Sequence, residues 1–206
     1  MSIQYFIIDT ESNGLSSTEH ELNEISIIRT VDKVQLTKQI ICEHPEKSSY
    51  DALRITGKSL ADLQKGFPKE EVVGLVEKFF ADSGGEANNR CIVAHNAQFD
   101  RKMLWALWAK CNKEFPAFYW LDTIHMTRNY AKKQQIIKPK VNLAAACDLL
   151  QIKKVAGVHN AKSDARNTFY LWQKLMSEVD HLEHIKLFKH ELSPSKPEED
   201  SMEDLF

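Results

Sequence analysis

The sequence predicts an α/β fold, a mixed β-sheet flanked by helices. Three observations carry that expectation. Strand-like apolar runs crowd residues 3 to 43, and apolar residues recur at helical spacing in several later segments. A short apolar run, "CIVAH", stands among those helices. Strands first, then strands mixed with helices, is the pattern of one mixed sheet with helical layers.

The first strand is expected over Ile3 to Ile8, just before the acids of "DTES". Glu24 to Thr30 and Val34 to Glu43 follow as strands, and "VDK" between them is short enough for a tight connection, so the three form an antiparallel meander. "SSYDALRITGKSLADL" should hold a short helix that turns at Gly57. Pro68 suits a first helical turn, and Val72, Val73, Val76, Phe79 and Phe80 then make one apolar face. "CIVAH" is a buried strand, and "AQFDRKMLWALWAKC" repeats Phe99, Met103, Leu107 and Cys111 at helical spacing, with Asn96 placed to cap it. "WLDTIHMTRNYAKK" passes from a strand end into a helix that Asp122 can cap, and "NLAAACDLLQI" is a helix with Asn142 as its cap. The last helix repeats Ala161, Ala165, Phe169, Trp172 and Met176 behind a cap at Asn160. From Ser193 the chain turns Pro-, Ser- and acid-rich, so residues 1–192 are expected to form the domain and 193–206 an acidic tail without a core.

Hydrophobic residues make up 43% and charged residues 27%, a globular balance rather than that of a disordered or membrane-embedded chain. No stretch approaches a spanning length. Cys42, Cys91, Cys111 and Cys147 are scattered without a paired spacing, which argues against a zinc knuckle and suits reduced thiols in the cytoplasm. A net charge of −2 means that a polyanionic partner would need a local basic patch or metal ions.

Residues two apart in a strand share a face, so Asp9 and Glu11 can present two carboxylates to one point past the strand's end. Like charges so close repel unless a cation lies between them, and magnesium-like ions favour such oxygens. Taken alone, this segment reads better as a turn begun by Asp9 at "ESNG" with Glu11 solvated, since acids after strands are common. "VAHNAQFD" adds Asp100 at a helix start, and "HNAKSDARNT" adds Asp164 in the first turns of the last helix, with His159 five residues earlier in the preceding loop. His95 and His125 have no ligand partner at a motif spacing and are read as structural or exposed. Trp105, Trp108, Phe169 and Trp172 sit at helical spacings and are read as core. "KKQQIIKPK", Lys132 to Lys140, is a loop with four lysines that could grip phosphates or simply be solvated, and Lys153 and Lys154 share that status.

"DTESNGL", "HNAQFD" and "HNAKSD" together resemble the three exonuclease motifs of the DnaQ-like 3′–5′ exonucleases, the DEDDh family. The third motif of that family is H-x4-D, matched by His159 and Asp164, and "LDT" resembles its connecting segment. The resemblance covers roughly residues 3 to 178 and implies a ribonuclease H-like fold. It implies two divalent metal ions, Mg2+ or Mn2+, the first held by Asp9, Glu11 and Asp164. Asp9 would bridge to the second, held by Asp100. His159 would take a proton from the attacking water. Thr10, Leu15, Asn96 and Phe99 would contact the substrate, while Ser12-Asn13 stands where the family commonly has Thr-Thr. The implied activity is removal of nucleoside 5′-monophosphates from DNA 3′ ends, preferentially single-stranded, in proofreading, replication or repair. The alternatives are an exoribonuclease trimming RNA 3′ ends and a non-catalytic module that binds 3′ ends. "MEDLF", Met202 to Phe206, resembles the peptide with which replication proteins dock on the sliding clamp, which would make a clamp or polymerase a partner.

Overall fold

A computed structural model of the chain describes residues 3–155 and 160–190. The expected meander is present. Strand β1 (Gln4–Ser12) pairs antiparallel with β2 (Leu22–Arg29), and β2 with β3 (Gln35–Gln39). The β2–β3 turn closes with the Arg29 N–H donating to Val34 O at 2.9 Å, and Lys33 takes a left-handed φ of 62°. β1 runs further than expected. It does not end before the acids but carries both Asp9 and Glu11 within its paired length, opposite Ser26 and Glu24. Carboxylates are rarely placed inside a central strand, so an apolar-run criterion stops too early there.

Ser49 caps α1 (Tyr50–Thr56) through the Ala52 N–H, and Gly57 ends the helix in the left-handed conformation that a residue with a Cβ resists. The one-turn helix α2 (Leu60–Leu63) follows with a capping box between Ser59 and Asp62. α3 (Lys69–Ala81) starts at Pro68 and buries Val72, Val73, Val76 and Phe80. β4 (Arg90–Ala94) lies parallel to β1, and β5 (Tyr119–Asp122) lies parallel to β4. α4 (Ala97–Lys110), α5 (Thr123–Lys133), α6 (Leu143–Leu149) and α7 (Ala161–Met176) complete the helices. Asn142 and Asn160 cap α6 and α7 through the N–H groups of Ala145 and Ser163, as their positions suggested. One helix and one strand were not anticipated: α2, separate from α1 beyond Gly57, and β6 (Ile185–Leu187), which pairs antiparallel with β5. The six strands lie in the order β3-β2-β1-β4-β5-β6, a mixed sheet with helices on both faces.

The pleat of β1 sorts the core into two layers. Phe6 and Ile8 point to the layer of α3 and α4, with Val72, Phe80, Leu104 and Trp108. Ile7 points to the opposite layer, with Met126, Ala165, Phe169 and Trp172. Trp108, Phe169 and Trp172 are buried and Trp105 packs against the core, as their spacings implied. The four cysteines are free. Among the described residues no helix is long and apolar enough to cross a membrane.

Candidate active site

The same alternation places the acids. Asp9 and Glu11 fall on the α7 side of β1, where Asp164 stands in the first turn of α7. One oxygen from each of the three lies within 4.8 Å of the others. Thr10 falls on the other side, toward α4, and its hydroxyl donates to Asp100 Oδ1 at 2.8 Å. Asp100, in the first turn of α4, is 3% exposed. Helices from opposite faces of the sheet thus bring Asp164 and Asp100 to the same end of β1.

Burial and neighbouring acids act on Asp9 and Asp100 together. The Asp9 carboxyl is held well above the usual carboxylate range, first by burial and then by the charges of Asp100, Glu11, Asp164 and Glu24. Asp100 is pushed up to about 7, again mainly by burial, while the Thr10 hydroxyl opposes the rise and Asp122 and Glu11 add to it. Lys58 offsets Glu24, with Nζ 2.8 Å from its carboxylate. Half-buried carboxylate oxygens converging on one point, with their charges in mutual conflict, are a donor set that fits a hard divalent cation.

A groove of about 440 Å³ opens beside these acids, and Glu11 forms part of its wall. Leu15, 85% exposed, and Phe99 face it from β1's following loop and from α4, joined by Ala52 and Ile55 of α1. Three residues expected at the site therefore line one groove. Ala52 and Ile55 escaped the sequence reading. Their signal was an apolar residue left exposed on a short helix, Ile55 being 50% exposed. The loop that presents Leu15 is braced from within. Asn13 is buried, accepts the Glu21 N–H at 2.6 Å and donates to Cys42 Sγ at 3.3 Å, and Ser12 Oγ donates to Gly14 O at 2.5 Å. A Cβ on Gly14 would stand 2.0 Å from the His20 ring, so only glycine lets that ring close the loop.

Asn96 departs from expectation. It occupies the cap position of α4 at φ 75°, but its side chain makes no cap bond and is not part of the groove wall. The cap comes from Asp122, whose carboxylate accepts the N–H groups of Asn96 at 3.2 Å and Ala97 at 3.0 Å, and that of Ile124 at 2.8 Å. One acid thus holds the N-termini of both α4 and α5. His95 is structural as expected, linked to Thr123 Oγ1 at 2.9 Å and Val141 O at 2.8 Å, with burial lowering its pKa. His125 is exposed. His159 and the Met202–Phe206 segment lie outside the described residues.

Comparison with known proteins agrees with this geometry. The chain is 26% identical over 127 residues to a DNA polymerase III PolC-type protein of Mycoplasmopsis pulmonis (strain UAB CTIP), spanning 61% of this chain and 8% of that protein. Its fold is similar to E. coli exonuclease I in complex with a 5cy-dT13 oligonucleotide (TM-score 0.69, 14% identity, 86% of this chain and 41% of that one). It is also similar to a 3′-exonuclease solved in a study of 3′-end-specific recognition of a histone mRNA stem-loop (TM-score 0.67, 13% identity, 95% of this chain and 72% of that one). The profile of the RNase_T exonuclease family matches residues 6–172, so the chain belongs to that family, the DnaQ-like exonucleases of the ribonuclease H-like superfamily.

Proposed function

We propose that the protein shortens single-stranded DNA from the 3′ end, releasing nucleoside 5′-monophosphates, with two bound divalent ions, Mg2+ or Mn2+. The observation that carries this reading is the Asp9–Glu11–Asp164 oxygen cluster opening directly onto the groove of Leu15 and Phe99. Asp9, Glu11 and Asp164 would hold one ion and Asp9 with Asp100 the other. Bound there, such ions supply charge stabilisation for the attacking and leaving oxygens of an in-line displacement. Leu15 and Phe99 clamp the terminal base through apolar contact, which an unpaired, frayed end offers and a stacked, paired one does not. His159 takes the proton of the attacking water, the role that the H-x4-D motif implies for it, because imidazole changes charge near neutrality.

Similarity to the PolC-type protein favours DNA. Similarity to the histone mRNA 3′-exonuclease favours RNA as the second reading. Digestion of matched 3′- and 5′-labelled DNA and RNA strands decides between them. Stepwise loss of the 3′ label's nucleotide, faster on DNA, supports the proposal; faster shortening of RNA gives it to the second reading; release from the 5′ end overturns both. A sliding clamp or polymerase docked through Met202–Phe206 is a further proposed partner, tested by pull-down with Leu205 and Phe206 deleted.

A further inference from the structure

The protein's formal charge is slightly negative, yet one face of α5 is cationic. His125, Arg128 and Lys132 follow one another at spacings of three and four residues, so they line one stripe of the helix, and all three are exposed. The stripe joins two grooves. At its start a groove of about 500 Å³ lies between α4, α5 and β6, lined by Arg101, His125, His184 and Lys186 over an aromatic floor of Trp120 and Phe188. At its end a second groove of about 530 Å³ is lined by Arg128, Lys132 and Lys138. The lysine cluster of the sequence is therefore not one loop: Lys132 and Lys133 close α5, and only Lys138 and Lys140 lie beyond it.

These cations are available. Among the described residues, none of Arg101, Arg128, Lys132, Lys138 and Lys186 has an acidic partner within ion-pair distance. Arg101 is held in place without one, its guanidinium stacked 3.5 Å from the Phe188 ring centroid and its Nε unpaired. Among the described residues, acids close to the track include Asp122, already engaged with three N–H groups, Asp180 and Glu183 beside His184, and Glu178, paired with Lys174 near the end of α5. The start of the track stands at the acidic cluster's end of the sheet, because α5 begins where β5, parallel to β4 and through it to β1, ends. Asp122, in the wall of the first groove, is close enough for its charge to act on Asp100. The second groove ends at Val141, whose carbonyl is bonded to His95, within reach of the charge of Asp164.

We propose that this α5 track binds the phosphate backbone of the single strand whose 3′ end lies in the active site. The inference rests on the exonuclease reading and adds a second contact surface to it. His125 to Lys132 spans about 10 Å of helix, at ~1.5 Å per residue. Phosphates of a stacked strand advance about 3.4 Å each, so about three of them match the stripe. The exposed Ile137, 87% accessible beside Lys138, offers an apolar surface to a base at the far end. Such a track answers how a protein of net charge −2 holds a polyanion.

The test is the salt dependence of binding, measured with chelator present so that no strand is cut. Wild type, an Arg128→Ala/Lys132→Ala double variant and a Lys65→Ala/Lys78→Ala control are titrated with a labelled 12-mer of DNA at several salt concentrations. Each phosphate contact on a single strand contributes about 0.7 to the slope of log K against log salt, so the double variant should lose about 1.4 of that slope and roughly tenfold or more in affinity at low salt. The control should keep the wild-type slope. An unchanged slope in the double variant overturns the track, and so does an equal loss in the control. If the variants bind DNA as wild type does but lose binding to an acidic peptide, the face belongs to a protein partner and the proposal fails. Wild-type shortening of the same 12-mer with Mg2+ in place of chelator is checked separately: its absence sinks the exonuclease reading, whereas its presence with an unchanged slope sinks only the track.

Discussion

The Thr10 hydroxyl donates to Asp100 Oδ1 at 2.8 Å, joining the central strand to the first turn of α4 across ninety residues of sequence. That bond favours the charged form of a carboxyl that burial pushes up to about 7. Thr10→Val removes the donor without changing the shape, so the Asp100 pKa should rise further. A hydrogen bond to a charged group is worth roughly 1.5 kcal/mol, and 1.36 kcal/mol is one pKa unit. In the metal-free protein the Asp100 titration, followed by NMR in chelator, should therefore move about one unit to higher pH, and an unmoved titration would contradict it.

Asp100→Asn should make the metal-free protein more stable while abolishing activity. The folded chain holds the Asp100 proton up to about pH 7, whereas the unfolded chain releases it near 3.8. Between those values the folded state binds more protons, so stability falls as pH rises and the full penalty persists above 7. The asparagine variant carries none of it. In chelator its Tm should exceed wild type above pH 7 by about 2–4 °C for each kcal/mol relieved, and the two should converge below pH 4. Thermal unfolding scans at pH 4 and 8 check this. Equal Tm values at pH 8 would contradict it.

Asp122→Ala removes one carboxylate from three N–H groups and so loosens two helix starts together. A cap deleted to alanine costs about 1 kcal/mol, and two helices are affected, so about 2 kcal/mol of stability should go. Denaturant unfolding reads that loss. Ile124 and Ala97 amide protons should exchange faster in the same variant, which a purely local defect in α5 would not produce.

Leu15→Ala and Phe99→Ala each remove apolar surface from the groove beside Glu11. Full burial of such a side chain is worth about 1.5 kcal/mol or more, so kcat/KM for single-stranded ends should fall about tenfold or further. The rise in Tm caused by added divalent ions should stay as in wild type, because neither residue belongs to the oxygen cluster. Loss of that thermal response would assign the two residues to folding of the site instead.

Much of this fold was legible because apolar periodicity follows the local backbone. The meander, the α3 face and the caps at Asn142 and Asn160 all stood in the sequence. β6 did not: three residues, "IKL", carry no period, and the strand exists only because β5 offers an edge. The end of β1 was hidden for a different reason. Asp9 and Glu11 look like the close of a strand because burying them is unfavourable, and it is the site's chemistry that keeps the strand going through them. Asp122 was read as a cap of the helix that follows it, which is correct, but its hold on Asn96 and Ala97 spans β5 to α4 and has no local trace. The α5 stripe of His125, Arg128 and Lys132 lies within one helix, so the run of lysines read as one loop divides between that helix and the segment after it.

The central claim is that Asp9, Glu11 and Asp164 together form the metal-bearing centre of a 3′ exonuclease. The most direct test is shortening of a 5′-labelled DNA single strand by wild type, Glu11→Gln and Asp164→Asn, each with Mg2+, Mn2+ or chelator. The account predicts a ladder of products from wild type with metal, none in chelator, and a loss of at least a hundredfold in either variant, with both variants still folded. A ladder that persists in chelator, or in either variant at the wild-type rate, would contradict it.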